Sequence, residues 1–418
     1  MQTSPNIILE RISLFLNAKF KVYMKIEALR VKNFKAFKDI KLDDLPSLSV
    51  FIGANGSGKT TLFDIFGFLR DALQTNVKIA LQKRGGFKEV ITRGETGLIE
   101  IEIKFRDTQG SINRSPLVTY SLVIGLDNNQ PVVEREILKY RRGAKGKPWH
   151  FLDFSKGSGM AITNEESYEG KGSKEEKQEQ TIDSPDILAL KGLGQFQRFK
   201  AANSFRKLIE NWHVSDFHIS DARPSQETGY AEHLSTRGEN MALVAQYMYE
   251  NNRELFNRIL EKMAQRVPGI SHVEAIDTED GRIVLKFQDG SFKDPFIARY
   301  VSDGTIKMFA YLLLLHDPSP HPLLCIEEPE NQLYPSLFCG LVEEFRDYAD
   351  KGGQVMISTH SPDVLNHVML NEIFCLRKYE GITKVERASD NELLVNLIHE
   401  GDLPGALWKQ GLFEGVNP

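Results

Sequence analysis

Gly53-Ala54-Asn55-Gly56-Ser57-Gly58-Lys59-Thr60 fits the phosphate-binding pattern G-x-x-x-x-G-K-[ST] at every demanding position. Leu48, Val50, Phe51 and Ile52 before it read as a short buried strand, and Leu62, Ile65, Phe66, Leu69 and Leu73 after it recur at helical spacing. The loop therefore has the strand-turn-helix context the motif needs. Its glycines let backbone N–H groups converge on a polyphosphate, and the helix N-terminus adds about half a positive charge. Lys59 is expected to reach the β- and γ-phosphates and Thr60 to ligate Mg²⁺; Gly53, Asn55, Gly56, Ser57, Gly58 and Thr61 complete the expected nucleotide contacts.

A second region dense in chemistry lies far downstream. Leu323-Leu324-Cys325-Ile326 is a buried apolar run ending abruptly in Glu327-Glu328-Pro329-Glu330. A carboxylate at such a strand end, beside a phosphate loop, partners Mg²⁺, and Glu327 is expected to do so while Glu328 orients the attacking water. Ser302-Asp303-Gly304-Thr305 leads into the apolar helix Ile306 to Leu315, so Ser302 and Gly304 open a second helix N-terminus suited to phosphate. Val355-Met356-Ile357 reads as a strand delivering Ser358-Thr359-His360-Ser361-Pro362, which places His360 at another strand end.

The rest of the chain bounds these readings. Its 418 residues allow two or three domain-sized units, and 41% hydrophobic with 26% charged residues is ordinary globular composition. A net charge of −5 gives no overall field toward nucleic acid or anionic membrane, so any such contact is local. The longest apolar run, Met308 to Leu315, is far shorter than the roughly 20 residues of a membrane span. Cys325, Cys339 and Cys375 lie among apolar neighbours without metal-type spacing, as reduced thiols of a cytoplasmic protein do.

Residues 1–23 read as an extension, and Met24 opens directly on a strand, making it a candidate natural start. The basic Met24-to-Phe37 segment reads as the wet face of an edge strand or as a basic groove. Gly97 to Phe105, Leu117 to Ile124 and Val132 to Tyr140 read as an antiparallel meander. Arg141, Arg142, Lys145 and Lys147 crowd a glycine-containing tip, either gripping phosphates or simply solvated. Asn164 to Asp183 reads as a surface loop. Helices are expected around Asp186 to Leu190, Ala202 to Asn211 and Asn240 to Gln265, with a strand over Trp212 to Ile219 and a hairpin over Val273 to Phe287. Arg223 sits in a turn that could serve phosphate or only the surface. The apolar tail Leu403 to Phe413 is expected to dock, on its own domain or on a partner.

Together, Gly53 to Thr60, Ser302 to Thr305, Glu327 to Glu330 with Leu333-Tyr334-Pro335, and Ser358 to Pro362 resemble the Walker A, signature, Walker B with D-loop, and switch-histidine motifs of ABC-type ATPases, in the same chain order. The likeness is to heads of the SMC, RecF and OLD group, and within it to stand-alone prokaryotic ATPases of the AAA family from Met24 onward. The signature departs from Ser-Gly-Gly-Gln, the first Walker B acid is Glu, and Tyr334 stands where relatives often carry histidine. Gln74 and Gln82 lie in the region of a Q-loop. No coiled-coil arms are legible.

The resemblance implies an α/β, two-lobed, ABC-type P-loop head: an N-terminal lobe at 24–110, a mixed α/β insertion at 111–299, and a C-terminal lobe with tail at 300–418. It implies an Mg-dependent ATPase in which Lys59, Glu328 and His360 are catalytic, Thr60 and Glu327 hold the metal, and Ser302 and Gly304 act on the other subunit's ATP in a sandwiched homodimer. DNA maintenance, repair or phage defence, with DNA and a separately encoded Toprim-like nuclease as partners and no membrane, is the expected setting. An ABC-transporter nucleotide-binding subunit and a slowly hydrolysing scaffold are the alternatives.

Overall fold

The computed structural model describes residues 24–107, 117–141, 147–164 and 176–416. Its centre is a six-stranded sheet in the order β10 (His213–Ser215), β15 (Leu323–Glu327), β16 (Gln354–Ser358), β3 (Leu48–Ile52), β17 (Ile373–Tyr379) and β18 (Ile382–Arg387). All neighbours are parallel except the last pair. The central strands are short apolar runs because a parallel sheet is covered on both faces. Successive residues consequently serve opposite cores. Val50, Ile52, Leu324, Ile326, Val355 and Ile357 face one, while Phe51, Leu323, Cys325, Met356 and Phe374 face the other.

The second core is closed by an eight-stranded antiparallel sheet, ordered β2 (Phe37–Leu42), β1 (Met24–Phe34), β4 (Ile99–Asp107), β5 (Leu117–Asp127), β6 (Gln130–Tyr140), β7 (Trp149–Ser155), β8 (Ser158–Ile162) and β9 (Lys177–Thr181). The Lys59–Gln74 helix lies between the two sheets, which is why Leu62, Ile65, Phe66, Phe68, Leu69 and Leu73 are all buried rather than one stripe of them. The other face of the parallel sheet carries the helices Asp303–Leu315 and Phe338–Asp350. A small sheet of β11 (Gln226–Glu227), β12 (Ile270–Asp277), β13 (Arg282–Asp289) and β14 (Phe296–Ile297) completes that side. No helix among the described residues is long and apolar enough to cross a membrane.

Several expectations need correction. The boundary at 110/111 falls between β4 and β5, which are hydrogen-bonded neighbours, and β10 from the supposed insertion joins the central sheet. The 111–299 segment is thus built into both sheets: the meander read from the sequence already crosses that boundary, and only the place of β10 in the central sheet leaves no local trace. β1 is no edge strand: it pairs with β2 and β4, and its cations meet carboxylates in Arg30–Asp39 and Lys32–Glu100 ion pairs. Lys177–Thr181, read as loop, is the outermost strand, nearly all polar because little of it is buried. The 240–265 helix breaks at Asn252 into Met241–Asn251 and Arg253–Arg266. The strand over 212–219 stops at Ser215 before a short helix, Ile219–Ala222. The C-terminal tail packs on its own domain through Leu407, Trp408, Phe413 and Val416, all buried.

Candidate nucleotide site

The carboxyl ends of β3, β15 and β16 lie side by side, and in open α/β sheets this edge is where ligands bind. β3 delivers the glycine-rich loop. Gly56 and Gly58 have φ of 76° and 107°, left-handed values that glycine adopts without strain. A Cβ at Gly53 would lie 2.4 Å from Ser57 Oγ and 2.6 Å from the Leu376 carbonyl oxygen, so the cradle closes only over glycine. Thr383, on β18, holds the loop from outside by donating its hydroxyl to the Ser57 carbonyl at 2.7 Å. Asn55, Gly56 and Thr60 are exposed at the rim, with Thr61 half-buried.

Lys59 Nζ donates to the Gly53 carbonyl at 2.7 Å, laying a buried ammonium across the loop. Burial lowers its pKa, opposed by the nearby Glu328, Glu327 and Glu330 carboxylates. Ser57 Oγ is buried without a hydrogen-bond partner. A buried cation, an unpartnered hydroxyl and a glycine cradle fit a phosphate chain.

Across the loop, Thr60 Oγ1 donates to Glu327 Oε2 at 2.8 Å. Burial raises the Glu327 pKa, with the Thr60 hydrogen bond acting against it and Asp216 and Glu328 adding to it. A hydroxyl beside a carboxylate is a hard oxygen donor set, which suits Mg²⁺. Glu328 leaves the strand in a different direction, with φ of 43°. This conformation costs a non-glycine residue energy unless its surroundings impose it. Here they do: the Glu328 N–H donates to the Ser358 carbonyl at 2.9 Å, and Lys307 Nζ donates to the carbonyls of Glu328 at 3.2 Å and Asn331 at 2.8 Å.

The Glu328 carboxylate lies 3.3 Å from His360 Nε2 through Oε1, and its Oε2 accepts from Asn331 Nδ2 at 2.8 Å. Burial, then Lys59, lowers the His360 pKa, with Glu328 opposing. Glu330 fixes the backbone around the histidine by accepting from the Thr359 hydroxyl at 2.5 Å and the His360 N–H at 3.1 Å. Its carboxyl is buried, which raises its pKa.

The structure thus brings Lys59, Thr60, Glu327, Glu328 and His360 to one edge, while Ser302 and Gly304 are held in the turn that opens the Asp303–Leu315 helix. Ser302 caps its helix, accepting from the Thr305 N–H at 3.3 Å. Gly304 packs where a Cβ would meet the Gln332 carbonyl oxygen at 2.9 Å. Arg223 belongs to this turn: it pairs with Asp303 and donates to the Arg299 carbonyl at 2.8 Å. Gln74 ends a 16-residue helix that starts at Lys59, roughly 20 Å along its axis, and Gln82 ends the next, so neither fills a Q-loop position beside the phosphates. Of the basic tip, Arg141 and Lys147 are exposed, and Arg142 and Lys145 lie outside the described residues.

Sequence reasoning missed Lys307, Asn331 and Thr383, and quoted Glu330 without giving it a role. One signal was available: Lys307 is the lone charge inside an apolar helix, and a buried charge needs partners.

Residues 48–366 match a family model described as "AAA domain, putative AbiEii toxin, Type IV TA system". A stretch of 146 residues is 28% identical to the DNA replication and repair protein RecF of Listeria innocua, covering 33% of this chain and 39% of that one. A 46-residue stretch is 41% identical to RecF of Lactococcus lactis, covering 11% and 13%. The chain thus matches well under half the length of these curated relatives. Among solved structures, an Smc head bound to the C-winged helix domain of ScpA superposes with a TM-score of 0.53 at 15% identity, over 86% of this chain and 97% of that one, which shows a shared fold.

Proposed function

The chain belongs to the AAA-domain family matched above, and we propose, on the support of its RecF-like stretch and its Smc-head fold, that it is an ABC-type ATPase of the SMC and RecF kind that binds and hydrolyses ATP and uses the cycle to close two copies into a dimer. The observation that carries this is the facing pair Thr60 and Glu327, with Glu328 and His360 beside them. Residues 53–61 hold the phosphates, and Thr60 with Glu327 holds Mg²⁺. The metal, when bound, neutralises charge that develops on the phosphates. Lys59 exchanges its loop carbonyls for phosphate oxygens. Glu328 accepts hydrogen bonding from the attacking water, and His360 orients Glu328.

Ser302 and Gly304 are turned to another role, completing the partner's site in trans. In this reading the helix N-terminus at 302–305 reaches phosphate only across a dimer interface. The decisive experiment pairs Mg-dependent phosphate release with light scattering in the presence and absence of ATP. Turnover with ATP-dependent dimerisation supports the reading, and a protein that binds no ATP or stays monomeric with it overturns it.

Downstream of the ATP cycle, the RecF relatives favour action on DNA, with any cleavage assigned to a separately encoded effector. Copurification of nucleic acid or a nuclease is the expected result. A copurifying membrane permease would instead favour a transporter subunit, and neither partner a scaffold.

A further inference from the structure

At the opposite ends of the same strands, away from the nucleotide edge, the 317–321 loop feeds β15. There His233, Asp317 and His321 each offer a donor atom within 4.8 Å of the donors of the other two. We propose that these three residues bind a transition-metal ion of the Zn²⁺ class, at a site separate from the Mg²⁺ of the nucleotide.

The hydrogen bonding around His321 prepares it as a ligand. Its Nδ1 lies 2.9 Å from the Asn211 carbonyl, which only accepts, so Nδ1 carries the proton. Nε2 is then a lone pair, and it is buried with no partner. A backbone carbonyl that fixes the tautomer while the other nitrogen stays free is the arrangement a metal-bound histidine uses. A protonated ring would leave a buried N–H without an acceptor, so the ring is neutral.

Asp317 is equally fixed. One carboxylate oxygen accepts the Ser319 N–H at 2.7 Å, and the other lies 2.8 Å from His233 Nδ1. His213 stands against the cluster, its ring centroid 4.9 Å from that of His321, and it too has a buried Nε2 without a partner. Two orphaned ring nitrogens in one buried cluster are costly unless something binds them.

Donor chemistry selects the ion. Two imidazoles and one carboxylate suit Zn²⁺ and its neighbours, whereas Mg²⁺ and Ca²⁺ take oxygen donors. Tetrahedral Zn²⁺, with bonds of about 2.0–2.1 Å, spaces its ligand atoms about 3.3 Å apart, so the ion would replace the 2.8 Å His233–Asp317 hydrogen bond and draw the wider donor pairs inward. His233, whose side chain is 41% exposed, gives the cluster a side open to solvent, from which water could complete the coordination. The ion would fasten the segment carrying His233 to the loop that enters β15.

The test is calorimetric titration of the full chain with Zn²⁺ alone, in excess Mg²⁺ and without nucleotide, alongside elemental analysis of the purified protein. One ion per chain, a raised melting temperature, and at least tenfold weaker binding in His233→Ala are expected. His233→Ala removes a partly exposed side chain, and its circular dichroism should match the parent's. His321→Gln should also lose the ion, and Co²⁺ in place of Zn²⁺ should give a tetrahedral visible spectrum in the parent alone. Zn²⁺ binding that persists unchanged in His233→Ala, or no binding by the folded parent, overturns the proposal.

Discussion

Thr60 Oγ1 donates to Glu327 Oε2 at 2.8 Å across 267 positions of sequence, joining the first turn after the phosphate loop to the end of β15. Glu328, the next residue, points elsewhere and meets His360 at 3.3 Å. The two acids therefore hold different partners, and changing them should have different effects.

Glu328→Gln keeps shape and hydrogen bonding but removes the charge that polarises water. ATP binding should survive while turnover falls about 10²-fold or more. The variant should dimerise more with ATP than the parent, and adding Ser302→Arg should abolish that gain. Phosphate release together with light scattering checks both; normal turnover would refute the role given to Glu328.

Glu327→Gln should instead weaken the metal. Its signature is a raised Mg²⁺ requirement, read by titrating Mg²⁺ at fixed ATP, with the affinity for metal-free ATP little changed. An unaltered Mg²⁺ curve would remove Glu327 from the metal site.

Lys307 gives a pH signature. Burial lowers its pKa to about 8 from the usual 10.5, with Glu330 and Glu328 opposing. Below about pH 8 the lysine is charged in both folded and unfolded chains, and the cost of burying that charge is fully present. Between pH 8 and 10.5 the unfolded chain holds more protons, so this group's contribution to stability rises with pH, by up to about 3 kcal/mol. Lys307→Met should lose that rise, seen by comparing urea midpoints at pH 7.5 and 9.5. It should also slow turnover about tenfold, because the Glu328 backbone loses the ammonium beneath its carbonyl.

Arg223→Ala should leave nucleotide affinity of the monomer unchanged and weaken ATP-driven dimerisation, because it frees the turn that presents Ser302. The exposed ion pair with Asp303 itself is worth at most about 1 kcal/mol. Sedimentation with ATP reads the first effect and thermal melting the second.

Trp408 is fully buried in the tail's contact with its own domain. Trp408→Ala should cost about 3–5 kcal/mol, and deletion of 403–418 should do more, both visible as lost thermal stability. Unchanged stability after deletion would mean the tail belongs to a partner surface.

The candidate edge was legible because each motif that meets there is local: a glycine pattern, an apolar run ending in acids, and a strand that delivers a histidine. The parallel strands were equally plain, since burial on both faces makes them uniformly apolar. What failed were features set by distant neighbours. The polar residues of Lys177–Thr181 carry no sign that β8 lies beside them. Nothing local tells that His213–Ser215 enters the central sheet, whereas the antiparallel β4–β5–β6 meander was read from its alternating runs and turns and pairs as read. The roles of Lys307 and Asn331 depend on a turn conformation at Glu328 that only the assembled fold imposes.

Lys307 lies one turn beyond Ser302 on the same helix, and its ammonium grips the 328–331 turn that begins with Glu328. Lys307 thus ties the helix to the turn. In the proposed dimer, a shift at one subunit's γ-phosphate that moves Glu328 must pull on the helix tip serving the other subunit's ATP. In that proposed arrangement the two sites would be geared to fire as a pair, and replacing Lys307 should let each run alone.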